Sequence, residues 1–114
     1  MTKNDTNTFQ FECVGCFIKA RKDRLAGYVA SNGAGEENSY LTLKKEPSNP
    51  YDPNAIAVLV KGEYYGTVGY VGKDYIQEVK SIIKNHKHYK LDMANRSDYE
   101  LDRIPMVITW EEGE

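Results

Sequence analysis

The 114-residue chain holds two cysteines, two histidines, four prolines and one tryptophan, and each scarcity excludes something. Cys13 and Cys16 alone cannot build the disulfide framework of a small secreted domain. No apolar run approaches the roughly 18 residues that cross a bilayer. The opening MTKNDTNTFQ has no apolar stretch of the kind a secretion signal needs. Together these shortages predict a cytoplasmic protein without a membrane partner. Reaction motifs are missing as well: there is no phosphate-cradling GxxxxGK, no GxSxG elbow and no HExxH. GAGEEN contains a G-x-G but opens no helical pattern, and no two carboxylates stand out as an acid and base couple. The sequence therefore predicts neither an enzyme nor a bound cofactor.

What is present is an ordinary globular composition, 40% hydrophobic and 28% charged, long enough for one modest core. Net charge is −2, an unpromising figure for a phosphate-binding partner, but the acids are unevenly placed. From Asp98 onward there are six acids against the single base Arg103; residues 1–97 hold 11 acids and 14 bases, a balance of +3. Total charge therefore does not decide the partner.

Residues 1–8 lack periodicity and read as a disordered tail before a single domain over 9–114. Phe9 to Ile18 alternates as a first strand. KARKDRLAGYVASNGAGEENS, rich in bases, glycines and turn formers, reads as a long loose connection in which Tyr28-Val29-Ala30 could add a short strand. Tyr40 to Lys45 alternates, and Ala55 to Lys61 (AIAVLVK), the most apolar run, has the composition of a central strand. Gly62-Glu63 reads as a two-residue hairpin turn into Tyr64–Val71, where Gly66 and Gly69 suggest a bulge or corner. Within Gly72 to Asn85, Tyr75, Ile76, Val79, Ile82 and Ile83 form one stripe of an amphipathic helix, the one confident helix. Tyr89–Ala94 and Ile104–Trp110 alternate again. Six or seven short strands with one main helix predict a mainly β fold, a small antiparallel barrel of OB-like or SH3-like kind.

Cys13-x-x-Cys16 invites a metal or redox reading. His86 and His88 could complete a zinc tetrahedron, but in an extended strand side chains three apart face opposite sides. A redox dithiol wants its CxxC at a helix start, and CFIKARKDRLAG shows no helical apolar stripe. Two buried or half-buried thiols and no metal are the expectation. The two histidines read as solvated residues past a helix C-terminus, where positive charge is welcome.

The stretch EPSNPYDPN carries the chemistry. Proline fixes its own φ and restricts the residue before it, so Asn49 and Asp52 have few backbone states and the loop is stiff in advance. A tyrosine on such a turn offers a flat face to a nucleobase. An ionised aspartate only accepts hydrogen bonds and repels phosphate, so Asp52 suits a sugar hydroxyl. Lys44, Lys45, Lys73 and the KARKDR bases are the candidates for phosphate. The plainer alternative is that Asp and Asn merely cap their own turn while Tyr51 packs under the barrel.

The stretch LKKEPSNPYDPNAIAVLVKGEYYGTVGYV resembles the HIRAN domain family. There an (R/K)-(E/D)-P-x-N-P-x-D-x-N-A-(I/V) segment leads into a hydrophobic strand, a hairpin and a V-G-Y/H turn. Glu46 to Ile56 match it nearly throughout, Val68-Gly69-Tyr70 fits the turn, and Val14-Gly15 fits the opening strand. The resemblance implies a β-barrel binding the 3′-hydroxyl end of single-stranded DNA. Asp52 would accept the hydroxyl, Tyr51 stack on a terminal base and Asn49 shape the pocket, while Tyr70 and Lys73 contact the terminal nucleotides. A role in DNA repair follows, beside a helicase or nuclease encoded elsewhere. DNA-binding members carry R-Y-Y after the opening V-G-x, where this chain has Phe17-Ile18-Lys19; Phe17 stands where the family has arginine, Lys19, Arg21, Lys22 and Arg24 follow at once as replacements, and Phe17, Lys19 and Arg21 join the expected binding residues. The alternative is a protein-interaction or regulatory module on the same scaffold.

Overall fold

AIAVLVK becomes the best-buried strand of the sheet, with Ile56, Ala57, Val58 and Val60 fully enclosed. A computed structural model describes residues 6–33, 39–62 and 65–111. In it six antiparallel strands form one sheet: β1 (Thr6–Val14), β2 (Ser39–Lys45), β3 (Ile56–Gly62), β4 (Gly66–Val71), β5 (Tyr89–Met93) and β6 (Ile104–Glu111). Their order is β2-β3-β4-β1-β6-β5. The expected barrel is not closed by a ladder, since β2 and β5 are the two edges of this order. A side chain spans the gap instead. The Tyr89 hydroxyl accepts from Leu43 N at 3.2 Å and lies 3.3 Å from Thr42 Oγ1. Through Tyr89 the short strand β5 is hydrogen-bonded to β2.

Alternation decides the inner face, because a strand turns successive side chains to opposite sides. Phe11 and Cys13 of β1 point into the core, as do Ile104, Met106 and Ile108 of β6 and Leu91 and Met93 of β5. The register between β3 and β4 shifts between Val58 and Leu59, which leaves Val68 as the extra residue between Thr67 and Gly69. That bulge lies within the segment marked by the two glycines. Gly62 has φ +105°, a glycine conformation at the start of the β3–β4 turn; Glu63 and Tyr64 lie outside the described residues.

The amphipathic helix is present as a short 3₁₀ turn over Lys73–Tyr75 followed by α2 (Ile76–Asn85), which buries Ile76, Val79 and Ile82. A second helix corrects the sequence reading. The expected loose connection is α1 (Lys19–Gly33), so Tyr28-Val29-Ala30 is helical and the first strand ends at Val14, not Ile18. It begins at Thr6, before the expected Phe9. Ala20, Arg21, Lys22, Arg24, Leu25 and Ala26 are all good helix formers. The apolar stripe is too narrow to register, since among the described residues of α1 only Leu25 and Tyr28 are buried. Polar pins supply the rest. Lys22 Nζ donates to the carbonyls of Tyr99 and Leu101, Arg24 Nη1 to Thr67 O at 2.8 Å, and Tyr28 Oη to Asp92 Oδ1 at 2.8 Å. Tertiary anchoring thus stabilises a helix whose amphipathicity is weak. No helix among the described residues is long and apolar enough to cross a membrane.

Candidate nucleic-acid interface

The proline loop is two consecutive turns. Asn49 N donates to Glu46 O at 3.0 Å and Ala55 N to Asp52 O at 3.0 Å, placing Pro47 and Pro53 second in their turns, where their fixed φ fits. Asn49 locks the segment between them. Its Oδ1 accepts from Tyr51 N at 2.8 Å and Asp52 N at 3.1 Å, while its Nδ2 donates to Glu46 Oε1 at 3.0 Å. Lys80 of α2 holds the far end through Asn54 Oδ1 at 3.0 Å. Tyr51 is left projecting, 95% exposed, with its ring uncommitted to the core.

A cavity of about 840 Å³ opens beside this loop. Its walls bring together five of the residues anticipated from sequence, Asn49, Tyr51, Asp52, Tyr70 and Lys73, and a sixth, Arg21, from α1. Lys44 and Lys45 reach it from the end of β2, and Val14, Val71 and Ile76 give it an apolar floor. Phe17 and Lys19 stand outside. Phe17 is 66% exposed, and Lys19 pairs with Asp23 one helical turn onward at 2.9 Å. Phe17 lies in the turn before α1 and Lys19 opens the helix, and neither lines the wall that Arg21 reaches.

Asp52 accepts from Asn54 N through Oδ1 at 2.8 Å, a local cap that involves one of its two oxygens. A carboxylate has about four lone-pair sites, so acceptor capacity remains toward the cavity. Tyr70 is held at both ends: its hydroxyl donates to Glu46 Oε1 at 3.0 Å, and the Arg21 guanidinium lies 5.4 Å from its ring centroid. Burial, then the bond to the Glu46 carboxylate, pushes the Tyr70 phenol above its ordinary range, so it stays a neutral donor at physiological pH. Arg21 Nη1 donates to Gly15 O at 2.8 Å, which fixes the cation over the ring.

Glu46 is the residue that sequence reasoning passed over as a site member. One oxygen joins Asn49 of the loop to Tyr70 of β4, so the loop and the sheet are positioned together. Its spacing of three from Asn49 across a proline turn was the available signal.

The cysteines also differ from expectation. Both are buried, as anticipated, but they do not face opposite ways: Cys16 Sγ lies 3.2 Å from Cys13 Sγ. The strand has ended at Val14, and Gly15, at φ +73°, reverses the chain. No group of three or more metal-ligating side chains exists among the described residues.

This chain belongs to the HIRAN domain family, whose sequence profile matches residues 8–108. It is similar in fold to the crystal structure of the HIRAN domain of human HLTF, at 21% identity and a TM-score of 0.57, covering 95% of this chain and 78% of that one. The NMR structure of the HLTF HIRAN domain gives 20% identity and a TM-score of 0.54 over 97% and 80% of the two chains. A crystal structure of a protein from Lactobacillus plantarum matches at 16% identity and a TM-score of 0.50 over 97% and 100%. No curated protein sequence matches significantly.

Proposed function

We propose that the cavity binds the 3′-hydroxyl end of single-stranded DNA and that the protein is a non-catalytic recognition module. The observation that carries this reading is the convergence on one cavity of an exposed ring, a carboxylate with a spare oxygen, and four cations, Arg21, Lys44, Lys45 and Lys73. Tyr51 takes the flat face of the last base. Asp52 accepts from the terminal hydroxyl and repels a phosphate placed there. Tyr70, whose proton is held by Glu46, accepts through its hydroxyl oxygen from a sugar or base donor, and the cations take the phosphates further along the strand. Asn49 acts indirectly, because its amide is used within the loop. Family membership supports the reading, in line with the implication drawn from the NPYDPNAI motif.

The test is equilibrium binding of one short labelled oligonucleotide in two forms, with a 3′-hydroxyl and with a 3′-phosphate. We expect the hydroxyl form to bind at least about tenfold more tightly, the scale of one charge-assisted hydrogen bond. With four cations engaged, the logarithm of affinity should fall with the logarithm of salt at a slope of roughly −3. Equal binding of both forms removes the role of Asp52, and no binding at low salt removes nucleic acid altogether. The latter result would favour a protein partner, for which the exposed Phe17 and Ile18 outside the cavity are the supporting feature.

A further inference from the structure

The end of β1 and the turn after it hold two thiols, Cys13 and Cys16, that nucleic-acid binding does not use. Cys16 Sγ sits 3.2 Å from Cys13 Sγ and 3.4 Å from Cys13 O, and the two residues are 1% and 0% exposed. The place is shaped for both sulfurs: a Cβ on Gly69 of β4 would overlap Cys13 Sγ and stand 2.8 Å from Cys16 Sγ. The strand-turn-helix setting, which the sequence hid, puts Cys16 just ahead of α1 with Arg21 and Lys22 on the first turn. We propose that Cys13 and Cys16 are an oxidisable pair that a small peroxide closes into a disulfide, and that closure loosens Arg21 from the cavity wall.

The two thiols are not equivalent. The close pairing with the Cys13 sulfur holds the Cys16 thiol below its ordinary range, with Lys22 and Arg21 adding to the effect against the cost of burial. Its neighbour is pushed the other way by the same pairing and by burial, so the first proton lost is that of Cys16. The Cys16 thiolate attacks one peroxide oxygen, the O–O bond breaks, and hydroxide leaves with the Cys16 proton as water. The Cys16 sulfenic acid that results faces Cys13, whose thiolate attacks the Cys16 sulfur. The S–O bond breaks, the S–S bond forms, and a second hydroxide takes the Cys13 proton as water. Two thiols lose two electrons and one peroxide becomes two waters. Peroxide, close to water in size, suits a pair this enclosed.

Closure must shorten the separation to about 2.05 Å and rotate the sulfurs into a disulfide dihedral. Cys13 cannot yield, because it is paired with Val71 on one side and Ile104 on the other. The adjustment falls on Gly15 and Cys16, and the Gly15 carbonyl is the acceptor that holds Arg21.

The full chain treated with equimolar hydrogen peroxide should lose two hydrogens in mass, with both cysteines protected from alkylation, and a dithiol reductant should restore it. In the oxidised protein, phenylglyoxal should modify Arg21 several-fold faster than in the reduced protein, and reduction should return the original rate. C13S should stop at a sulfenic acid on Cys16 with the Arg21 rate unchanged by peroxide. Oxidation seen only in denaturant, or single-cysteine adducts without an internal disulfide, would overturn the pair; equal Arg21 rates before and after closure would overturn its link to the cavity. None of these readings involves DNA, so they stand or fall apart from the proposed binding activity.

Discussion

Tyr51→Ala is expected to weaken binding of a single strand by roughly 5-fold to 150-fold, the 1 to 3 kcal/mol that stacking on one aromatic contributes. The same substitution should leave thermal stability within about 0.5 kcal/mol of the parent, because an exposed side chain away from caps and core has little to lose on truncation. Tyr51 is 95% exposed, and its backbone N–H, which Asn49 holds, is untouched by the change. Fluorescence anisotropy and a thermal melt on the same preparation separate the two effects. An unchanged affinity would mean that the projecting ring meets no base.

Gly69→Ala, by contrast, should cost stability first. The glycine is not needed for an unusual φ; it is needed because β4 passes so near the end of β1. A Cβ there would stand 2.7 Å from Val14 O and 2.8 Å from Cys16 Sγ, besides overlapping Cys13 Sγ. Val14 is held opposite Tyr70 in the ladder and Cys13 opposite Val71, so the strand cannot step aside without breaking pairs. Overpacking of this kind costs about 1 to 3 kcal/mol, which for a chain this size lowers Tm by on the order of 10 °C. Urea denaturation measures it directly. Because Tyr70 is the next residue, affinity should fall as well, in contrast to Tyr51→Ala, where stability is spared. A variant as stable as the parent would mean that the thiols and the strand end are less tightly held than their distances state.

Much of the fold was legible where one physical signal dominated. AIAVLVK was readable as a buried strand because nothing polar interrupts it, and Ile76 to Asn85 as a helix because its stripe is wide. The loop was readable because three prolines and an asparagine leave the backbone little freedom, and Asn49, Tyr51, Asp52, Tyr70 and Lys73 do meet at one cavity. Helix α1 escaped notice because its stability comes from Lys22, Arg24 and Tyr28 reaching partners 43 to 79 positions away. No local window contains that information. Basic residues read as a solvated, loose segment turned out to be its fastenings, which leaves Arg21 as the cation of this segment at the cavity. The cysteines' pairing was hidden for a related reason: alternation separates side chains three apart in a strand, but the strand stops at Val14 and Gly15 turns the chain. Glu46 was overlooked because its importance lies in a bond to Tyr70, 24 positions on.

The central claim is that the Asp52 carboxylate reads the chemistry of a strand terminus, and Asp52→Asn tests it most directly. Asparagine keeps an oxygen for the cap to Asn54 N, so the loop retains its turn while the negative charge is removed. The parent should prefer a 3′-hydroxyl over a 3′-phosphate by about tenfold or more, and the variant should retain only a small part of that preference, chiefly because it no longer repels the phosphate. A preference that survives the substitution undiminished would contradict the account, since the selectivity would then belong to some other group.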